Sequence, residues 1–270
     1  MRLASLGSGS KGNGTLVCAG DLLVLVDCGF SLRETERRLA ALGLSATDLA
    51  ALLVTHEHGD HVRGAGALAR KYKTPLYSTF GTARAVTGKA AGFHGADWRE
   101  VRPGRTFELA DMTVTPVTVP HDALEPCQYR FSWRQRELGV LTDLGSLTPH
   151  VVDAYRECDA LVLECNHEPE LLAAGPYPAS LKRRGGGGPY PASLKRRVGG
   201  NLGHLSNQQA ATLLGHCNVD RLQHLVLSHL SEQNNTPDHA LGWIHQAVEA
   251  GRERIRVASQ EQGFGWLDIH

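Results

Sequence analysis

The stretch Thr55-His56-Glu57-His58-Gly59-Asp60-His61 directly follows the apolar run Ala50-Ala51-Leu52-Leu53-Val54. A short apolar run of this kind predicts a buried strand. Behind it stand four side chains that commonly bind metal ions: His56, His58, Asp60 and His61. Imidazole nitrogens and carboxylate oxygens, without a thiolate, form a donor set for zinc, manganese or iron. The stretch therefore predicts a metal site at the end of a strand.

The spacing of these donors predicts that one segment serves two metal ions. His56 and His58 are two residues apart, so their side chains point the same way in an extended segment. Asp60 and His61 open a predicted helix that continues over residues 62–72 and would approach from another direction. The alternative is a chance cluster of polar residues in a solvated loop, and the position of the full string behind a strand argues against it.

The H-x-H-x-D-H string resembles the signature of the metallo-β-lactamase superfamily. This resemblance implies an α/β fold, the four-layer αβ/βα sandwich of that superfamily, with two divalent metal ions in the cleft between its layers. It also implies a hydrolytic site, because His58 stands where the di-iron redox branch has a carboxylate. Zinc or manganese, and also iron, would satisfy these donors.

The composition is that of a globular protein, and its net charge argues neither for nor against a polyanionic substrate. The chain has 270 residues, of which 41% are hydrophobic and 21% are charged, and its formal net charge is zero. A chain of this length can bury one large core. Because no linker-like segment interrupts it, we predict a single domain over residues 1–270. Affinity for nucleic acid would have to come from a local patch.

The six cysteines indicate a reducing compartment. They show no C-x-x-C pairing, and several stand in apolar strand-like runs, as Cys165 does, so we interpret them as small buried hydrophobic residues. Residues 1–7 lack the long apolar stretch of a signal peptide, and no run approaches the roughly 18 apolar residues of a membrane span. We therefore expect a cytoplasmic protein without a membrane partner.

Strand and helix patterns alternate along the rest of the chain. Further strands are predicted at residues 16–18, 22–26, 76–77, 113–119, 128–133, 138–141, 161–163, 255–258 and 265–267. Helices are predicted after Ser31, which forms a capping-box pattern with Glu34, and at residues 149–157, 207–216 and 237–249. Two sheets packed face to face under helical layers account for this order.

One decapeptide occurs twice. Residues 175–184, GPYPASLKRR, recur unchanged at 188–197 with three glycines between the copies. One copy is too short to be a supersecondary unit, so a solenoid is excluded, and a recent tandem duplication or an artefact of the sequence explains the repeat. Its glycines and Pro-x-Pro units predict a flexible surface loop near 175–197.

A two-metal centre needs more ligands than one segment supplies, and three further candidates follow strand-like runs. They are His121, Asp143 and His229. At a strand end a side chain is held rigidly by the sheet and remains open to a cleft, although each residue taken singly also fits a cap or a surface hydrogen bond. The resemblance assigns seven side chains to two metals: His56, His58 and His121 to the first, Asp60, His61 and His229 to the second, and Asp143 to both.

Two more residues are candidates through the same resemblance. Asp27 matches a superfamily aspartate with a structural role near the ligand loop, so we predict that it supports the ligands. Gly203-His204-Leu205-Ser206 resembles a motif that precedes the last ligand in phosphodiesterase branches, where the histidine contacts the scissile phosphate or protonates the leaving oxygen. The alternative is that Ser206 caps a helix and His204 is incidental. The predicted catalytic residues are Asp60, as a metal ligand, and His204.

Longer segments resemble one branch of the superfamily, known as YycJ or WalJ. The resemblance is carried by residues 6–16, 164–167, 188–200 and 229–235. It covers nearly the whole chain and departs at the duplicated decapeptide, of which the branch carries one copy. It implies a nuclease, since activity as a double-strand DNA exonuclease is attributed to some members.

Substrate contacts are predicted in two segments. Lys195, Arg196 and Arg197 form a basic patch close in sequence to His204, which would give salt-dependent, sequence-independent phosphate contacts. A solvated charged loop is the alternative. Residues 7–14, GSGSKGNG, lack the spacing of a phosphate-binding loop, and we interpret them as a tight crossover in which Asn13 contacts substrate.

The sequence leaves three functions open. The first is a metal-dependent phosphodiesterase acting on nucleic acid, in particular a DNA exonuclease. The second is a hydrolase of small esters, thioesters or lactones, whose turnover would not depend on the basic patch. The third is a regulatory protein that keeps the metals without turnover. Asp143 and His204 are 61 positions apart, too few for the inserted domain of multidomain ribonucleases in the superfamily.

Overall fold

Two seven-stranded sheets form the centre of the protein. The structure is a computed structural model that describes residues 1–174, 192–248 and 251–270. The strands are β1 Arg2–Gly7, β2 Gly14–Ala19, β3 Leu22–Val26, β4 Ala51–Leu53, β5 Leu76–Ser78, β6 Trp98–Glu100, β7 Phe107–Leu109, β8 Met112–Thr118, β9 Cys127–Trp133, β10 Arg136–Leu141, β11 Ala160–Glu164, β12 His224–Ser228, β13 Ile255–Val257 and β14 Phe264–Asp268. The described helices are α1 Leu32–Ala41, α2 Gly59–Val62, α3 Ala65–Tyr72, α4 Phe80–Ala85, α5 Pro149–Tyr155, α6 Pro169–Ala174, α7 Ala192–Val198, α8 Asn207–Leu214 and α9 Pro237–Ala247, with 3-10 turns at Ala46–Asp48 and Arg252–Arg254.

Each sheet is half parallel and half antiparallel. The first has the order β14-β1-β2-β3-β4-β5-β6, and the second has the order β13-β12-β11-β10-β9-β8-β7. Strands β3 to β6 are parallel in the first sheet, and β10 to β13 are parallel in the second. Because parallel strands end at the same edge of a sheet, the loops that follow them are brought together there.

Strands buried on both faces explain the long apolar runs. In β3, Val24 and Val26 belong to the core between the sheets, whereas Leu25 belongs to the core between the first sheet and its helices. A third core lies between the second sheet and its helices, and includes Leu161 and Leu163 of β11. Successive side chains of a strand point to opposite faces, so a strand covered on both sides must be apolar throughout. The predicted αβ/βα sandwich is confirmed.

Most predicted elements match the structure, and the differences have local causes. The predicted helix over 62–72 breaks at Gly64, where a β-carbon would lie 2.4 Å from the carbonyl oxygen of Phe30. The capping box at α1 is half formed: Ser31 accepts a hydrogen bond from the Glu34 amide, but the Glu34 carboxylate bonds to Arg38 instead. Strands β1, β6 and β7 were not predicted.

The duplicated decapeptide is only partly within the described residues. Residues 175–191 lie outside them, and the last six residues of the second copy, 192–197, are helical in α7. Within the described parts of the chain, no helix is long and apolar enough to cross a membrane.

Candidate metal centre

The seven predicted ligands converge at the edge where the parallel strands end. His56 follows β4, Asp143 follows β10 and His229 follows β12. The short helix α2 contains Asp60 and His61, and the loop after β8 contains His121. Three strand ends, one helix and one loop from both sheets therefore build a single site.

The first cluster consists of His56, His58 and His121, whose ligand atoms lie within 4.8 Å of one another. His58 Nδ1 is 3.2 Å from His121 Nε2. Two nitrogens bound to one tetrahedral zinc, each at about 2.05 Å, would be about 3.3 Å apart. His56 Nε2 is buried and has no hydrogen-bond partner among the described residues. These three nitrogens fit one metal ion.

The second cluster consists of Asp60, His61 and His229. Asp60 Oδ2 is 3.3 Å from His229 Nε2 and 3.5 Å from His61 Nε2. These distances are also close to the separation of about 3.3 Å expected for two ligand atoms bound to one metal ion. His229 has a φ of 54°, a left-handed conformation that costs a non-glycine residue energy and is often found at functional sites.

The carboxylate of Asp143 lies between the two clusters. Its Oδ2 is 3.1 Å from His61 Nε2, its Oδ1 is 3.1 Å from His229 Nδ1, and its Oδ1 is 4.0 Å from His121 Nε2. The side chain is 1% exposed, and neither oxygen accepts a hydrogen bond from the described residues. Each oxygen thus lies close to an imidazole nitrogen without hydrogen-bond geometry, and a buried carboxylate in this setting is stabilised by a bound cation.

The electrostatics of the site favour bound cations. Burial alone would lower the pKa of His61, yet Asp143, Asp27 and Asp60 together raise it well above its usual value. Burial, reinforced by the neighbouring His61, lowers the pKa of His56 well below its usual value. His56 is therefore a neutral imidazole with a free nitrogen, which is the form that binds metal. The carboxylates around it supply the negative charge that attracts the ions.

Asp27 supports the ligand loop, in the position that the sequence predicted. Its Oδ2 lies 2.8 Å from His61 Nδ1, and its Oδ1 accepts a hydrogen bond of 2.8 Å from the Thr55 amide. The carboxylate thus fixes the ring that carries the ligand atom at Nε2, as partners of metal-bound histidines usually do.

Asn13 lies beneath the ligands, not in the cleft where a substrate contact was predicted. It is 3% exposed. Its Nδ2 lies 3.1 Å from His61 Nε2 and 3.3 Å from the Asp60 carbonyl oxygen, and its Oδ1 accepts from the Gly9 amide. The partners that bury Asn13 are 47 and 48 positions away in sequence, so a local interpretation of its segment could not find them. Ser10 of the same loop lines the cleft instead.

His204 lines the cleft beside the clusters and is held by Glu164, a residue to which the sequence analysis gave no role. His204 Nδ1 lies 2.7 Å from Glu164 Oε1 and 3.4 Å from Asp143 Oδ1. The same Glu164 oxygen lies 3.1 Å from His229 Nδ1. Although burial lowers it, the pKa of His204 is raised overall by the Glu164 carboxylate. His204 therefore lines the cleft with its Nδ1 held by a carboxylate that stabilises its protonated form.

The signal for Glu164 was present in the sequence. It ends the apolar run of β11, the strand between β10 and β12, which lead to Asp143 and His229. The side chain is fully buried, and Oε2 accepts hydrogen bonds from the amides of Leu144 and Leu205. A charged residue that closes a buried parallel strand between two ligand strands is a candidate for the same site.

The predicted basic patch is split by the structure. Arg197 lines the cleft, and its Nε donates to Asp122 Oδ2 at 2.6 Å. Lys195 Nζ donates to the carbonyl oxygen of Ala173, and Arg196 is exposed outside the cleft lining. Arg197 is the sole arginine or lysine among the described residues that line the cleft, whose volume is about 500 Å³.

The family follows from this fold and a sequence comparison. The model of the Beta-lactamase superfamily domain matches residues 23–230, and the chain belongs to this superfamily. With its fold and its clustered histidines and aspartates, it is a metal-dependent hydrolase.

Two curated relatives are similar over most of their length. The exodeoxyribonuclease YycJ of Bacillus anthracis is 32% identical over 98% of this chain and 91% of the relative. The exodeoxyribonuclease WalJ of Streptococcus pneumoniae is 32% identical over 91% of this chain and 87% of the relative. Among solved structures, the metallo-β-lactamase fold protein YhfI from Bacillus subtilis has a TM-score of 0.70 at 17% identity, over 98% of both chains. The last comparison concerns the fold alone.

Proposed function

We propose that this chain is a metal-dependent phosphodiesterase that acts on nucleic acid, as a DNA exonuclease. The observation that carries the proposal is the His204–Glu164 pair, which presents an imidazole to the cleft 3.4 Å from the carboxylate between the two clusters. An imidazole whose protonated form is stabilised can donate a proton to the oxygen that leaves phosphorus. The names of the two exodeoxyribonuclease relatives support the same class of substrate.

His56, His58 and His121 would hold one divalent ion and Asp60, His61 and His229 the other, with Asp143 shared. Such ions lower the pKa of a water and neutralise the charge of a phosphate. The donor set accepts zinc, manganese or iron, and we propose zinc or manganese. Asp27 and Asn13 hold the Asp60–His61 segment, while Glu164 orients both His229 and His204.

The test is hydrolysis of end-labelled double-stranded DNA with added manganese or zinc, with the Asp60→Ala protein beside the wild type. Products that shorten progressively and are absent with Asp60→Ala support a metal-dependent exonuclease. The matched control is Asp153→Ala on α5, whose side chain is 71% exposed. An Asp60→Ala enzyme as active as the control would overturn the two-metal assignment.

A hydrolase of small esters, thioesters or lactones is the second candidate, favoured by the observation that Arg197 is the sole arginine or lysine among the described residues that line the cleft. Arg197→Ala discriminates between the two. A nuclease should lose affinity and part of its salt dependence, because each lost phosphate contact reduces the salt slope by about one. A small-molecule hydrolase should keep its KM. Arg252→Ala, on an exposed turn at the start of β13, is the control.

A further inference from the structure

A second groove, of about 860 Å³, runs along α4. Strands β4 and β5 are adjacent and parallel, with Leu53 opposite Tyr77. His56 therefore follows one strand and Phe80 follows its neighbour, at the same edge of the sheet. Adjacent strands are about 4.8 Å apart, so the groove starts close to the ligand loop.

Hydrogen bonds join the start of α4, at one end of this α4 groove, to the loop that contains His121. Glu125 belongs to the loop that contains His121, and its carboxylate accepts a 2.6 Å hydrogen bond from the Gly81 amide. Thr79 Oγ1 donates to the Glu125 carbonyl oxygen at 2.7 Å. A β-carbon on Gly81 would lie 2.4 Å from Glu125 Cβ, so the two segments are in close contact. The loop that contains His121 is thus held against the start of α4, whose first residue, Phe80, lines the groove.

The floor of the groove is aromatic. Phe93 is 7% exposed and packs in the core of the first sheet. Trp98 is fixed by its indole N–H, which donates to Ser78 Oγ at 2.9 Å. Phe80 is different, because 56% of it is exposed. An exposed phenyl ring beside an apolar floor is a surface on which a flat ring can stack.

The walls of the groove are cationic. Arg70, Arg84 and Lys89 line it, and no described lining residue carries a carboxylate. Arg70 is engaged by the carbonyl oxygens of Gly92 and His94. Arg84 and Lys89 are exposed, and neither forms an ion pair with a described residue. In a chain of zero net charge, this local excess of positive charge is complementary to an anion with flat rings.

We propose that the α4 groove binds a single-stranded segment of nucleic acid that extends from the metal centre. A base stacks on Phe80, and Arg84 and Lys89 contact the phosphates that follow it. Aromatic stacking combined with a cationic track is the chemistry by which proteins hold single strands without reading their sequence. This inference rests on the proposed function and adds to it a binding site for the strand outside the cleavage centre.

The experiment compares Phe80→Ala, the double variant Arg84→Glu with Lys89→Glu, and the control Arg252→Glu. We measure steady-state kinetics on a long single-stranded oligonucleotide and on bis-p-nitrophenyl phosphate, which has no further phosphates for Arg84 and Lys89 to contact. Each groove variant should raise the KM for the oligonucleotide by about tenfold with little change in kcat. Hydrolysis of the small diester should be unchanged, and the control should behave as the wild type.

A binding measurement separates failure of this inference from failure of the proposed function. The probe is a fluorescent phosphorothioate oligonucleotide, titrated into each metal-loaded protein and followed by anisotropy. Weaker binding by both groove variants supports the groove even if the wild type cleaves no DNA. Equal affinities across the wild type, both groove variants and the control overturn the inference. The groove would then bind an apolar ligand or a protein instead of nucleic acid. A groove variant that also loses activity on the small diester would place the defect in the metal site and overturn the inference as well.

Discussion

The site residues from the first sheet and those from the second are organised differently. His56, His58, Asp60 and His61 lie within six residues of one another, whereas His121, Asp143, Glu164, His204 and His229 span 109 positions. In the first group the supporting carboxylate, Asp27, holds one ligand ring, that of His61. In the second group Glu164 holds two rings at once, those of His204 and His229.

The two halves of the site should respond differently to the loss of their supporting carboxylates. On the first sheet, the ligand loop is fixed by several hydrogen bonds, and Asp27 contributes one of them to a ring that Asn13 also approaches. On the second sheet, one buried carboxylate couples a proposed metal ligand to the proposed proton donor. We therefore expect the loss of Asp27 to affect metal binding, and the loss of Glu164 to affect metal binding and proton transfer together.

The largest effect should come from the residue that joins the two halves. Asp143→Asn removes the charge between the clusters while keeping the shape of the side chain. Loss of several kcal/mol of charge stabilisation corresponds to a fall in kcat of about 10³-fold or more. The measurement is hydrolysis of bis-p-nitrophenyl phosphate together with the metal content per chain. Asp153→Asn is the control, and an Asp143→Asn protein with full activity and two metals would show that the charge between the clusters is not needed.

The same contrast explains how much the sequence could predict. The clustering of the proposed first-sheet ligands could be predicted because the strand and all its donors are local. Asp143 and His229 could be proposed because each follows an apolar run. The role of Glu164 was missed because its partners are 40 and 65 positions away, and its place is defined only once β11 lies between two ligand strands.

The fold, too, could be predicted only where the local sequence pattern is informative. The buried parallel strands were predicted from their apolar runs, since a strand covered on both faces must be apolar. Strand β6 was missed because it is three residues long and its last two residues, Arg99 and Glu100, are exposed. Strand β6 is held in the sheet by its pairing with β5, and this pairing cannot be read from the local sequence pattern.

Glu164→Gln should have the second largest effect. Its Oε2 accepts two backbone hydrogen bonds, so the amide oxygen of glutamine should take that side and turn the NH₂ group towards His204 and His229. Both rings would then carry their proton on Nε2, and His229 could no longer bind a metal ion through that atom. Protonated His204 would also lose the carboxylate that stabilises it. We expect kcat to fall by about 100-fold.

Excess metal distinguishes the two causes. Added manganese or zinc should restore only part of the activity of Glu164→Gln, because the proton donor stays misoriented. In a double-mutant cycle, His204→Ala should add little to the Glu164→Gln defect, since both changes remove the same function. Additive effects would show that Glu164 and His204 act separately.

The smallest of these effects should come from Asp27→Asn. The Asn oxygen can still accept from the Thr55 amide, but its NH₂ group would face His61 Nδ1, 2.8 Å from the present carboxylate oxygen. The ring would then carry its proton on Nε2, where it opposes metal binding, and affinity for the second ion should fall by about 10- to 100-fold. Because His204 and Glu164 are untouched, saturating metal should restore kcat to near the wild-type value. A kcat that stays low at saturating metal, in protein whose circular dichroism matches the wild type, would mean that Asp27 does more than orient a ligand, and the proposed division between the two supporting carboxylates would fail.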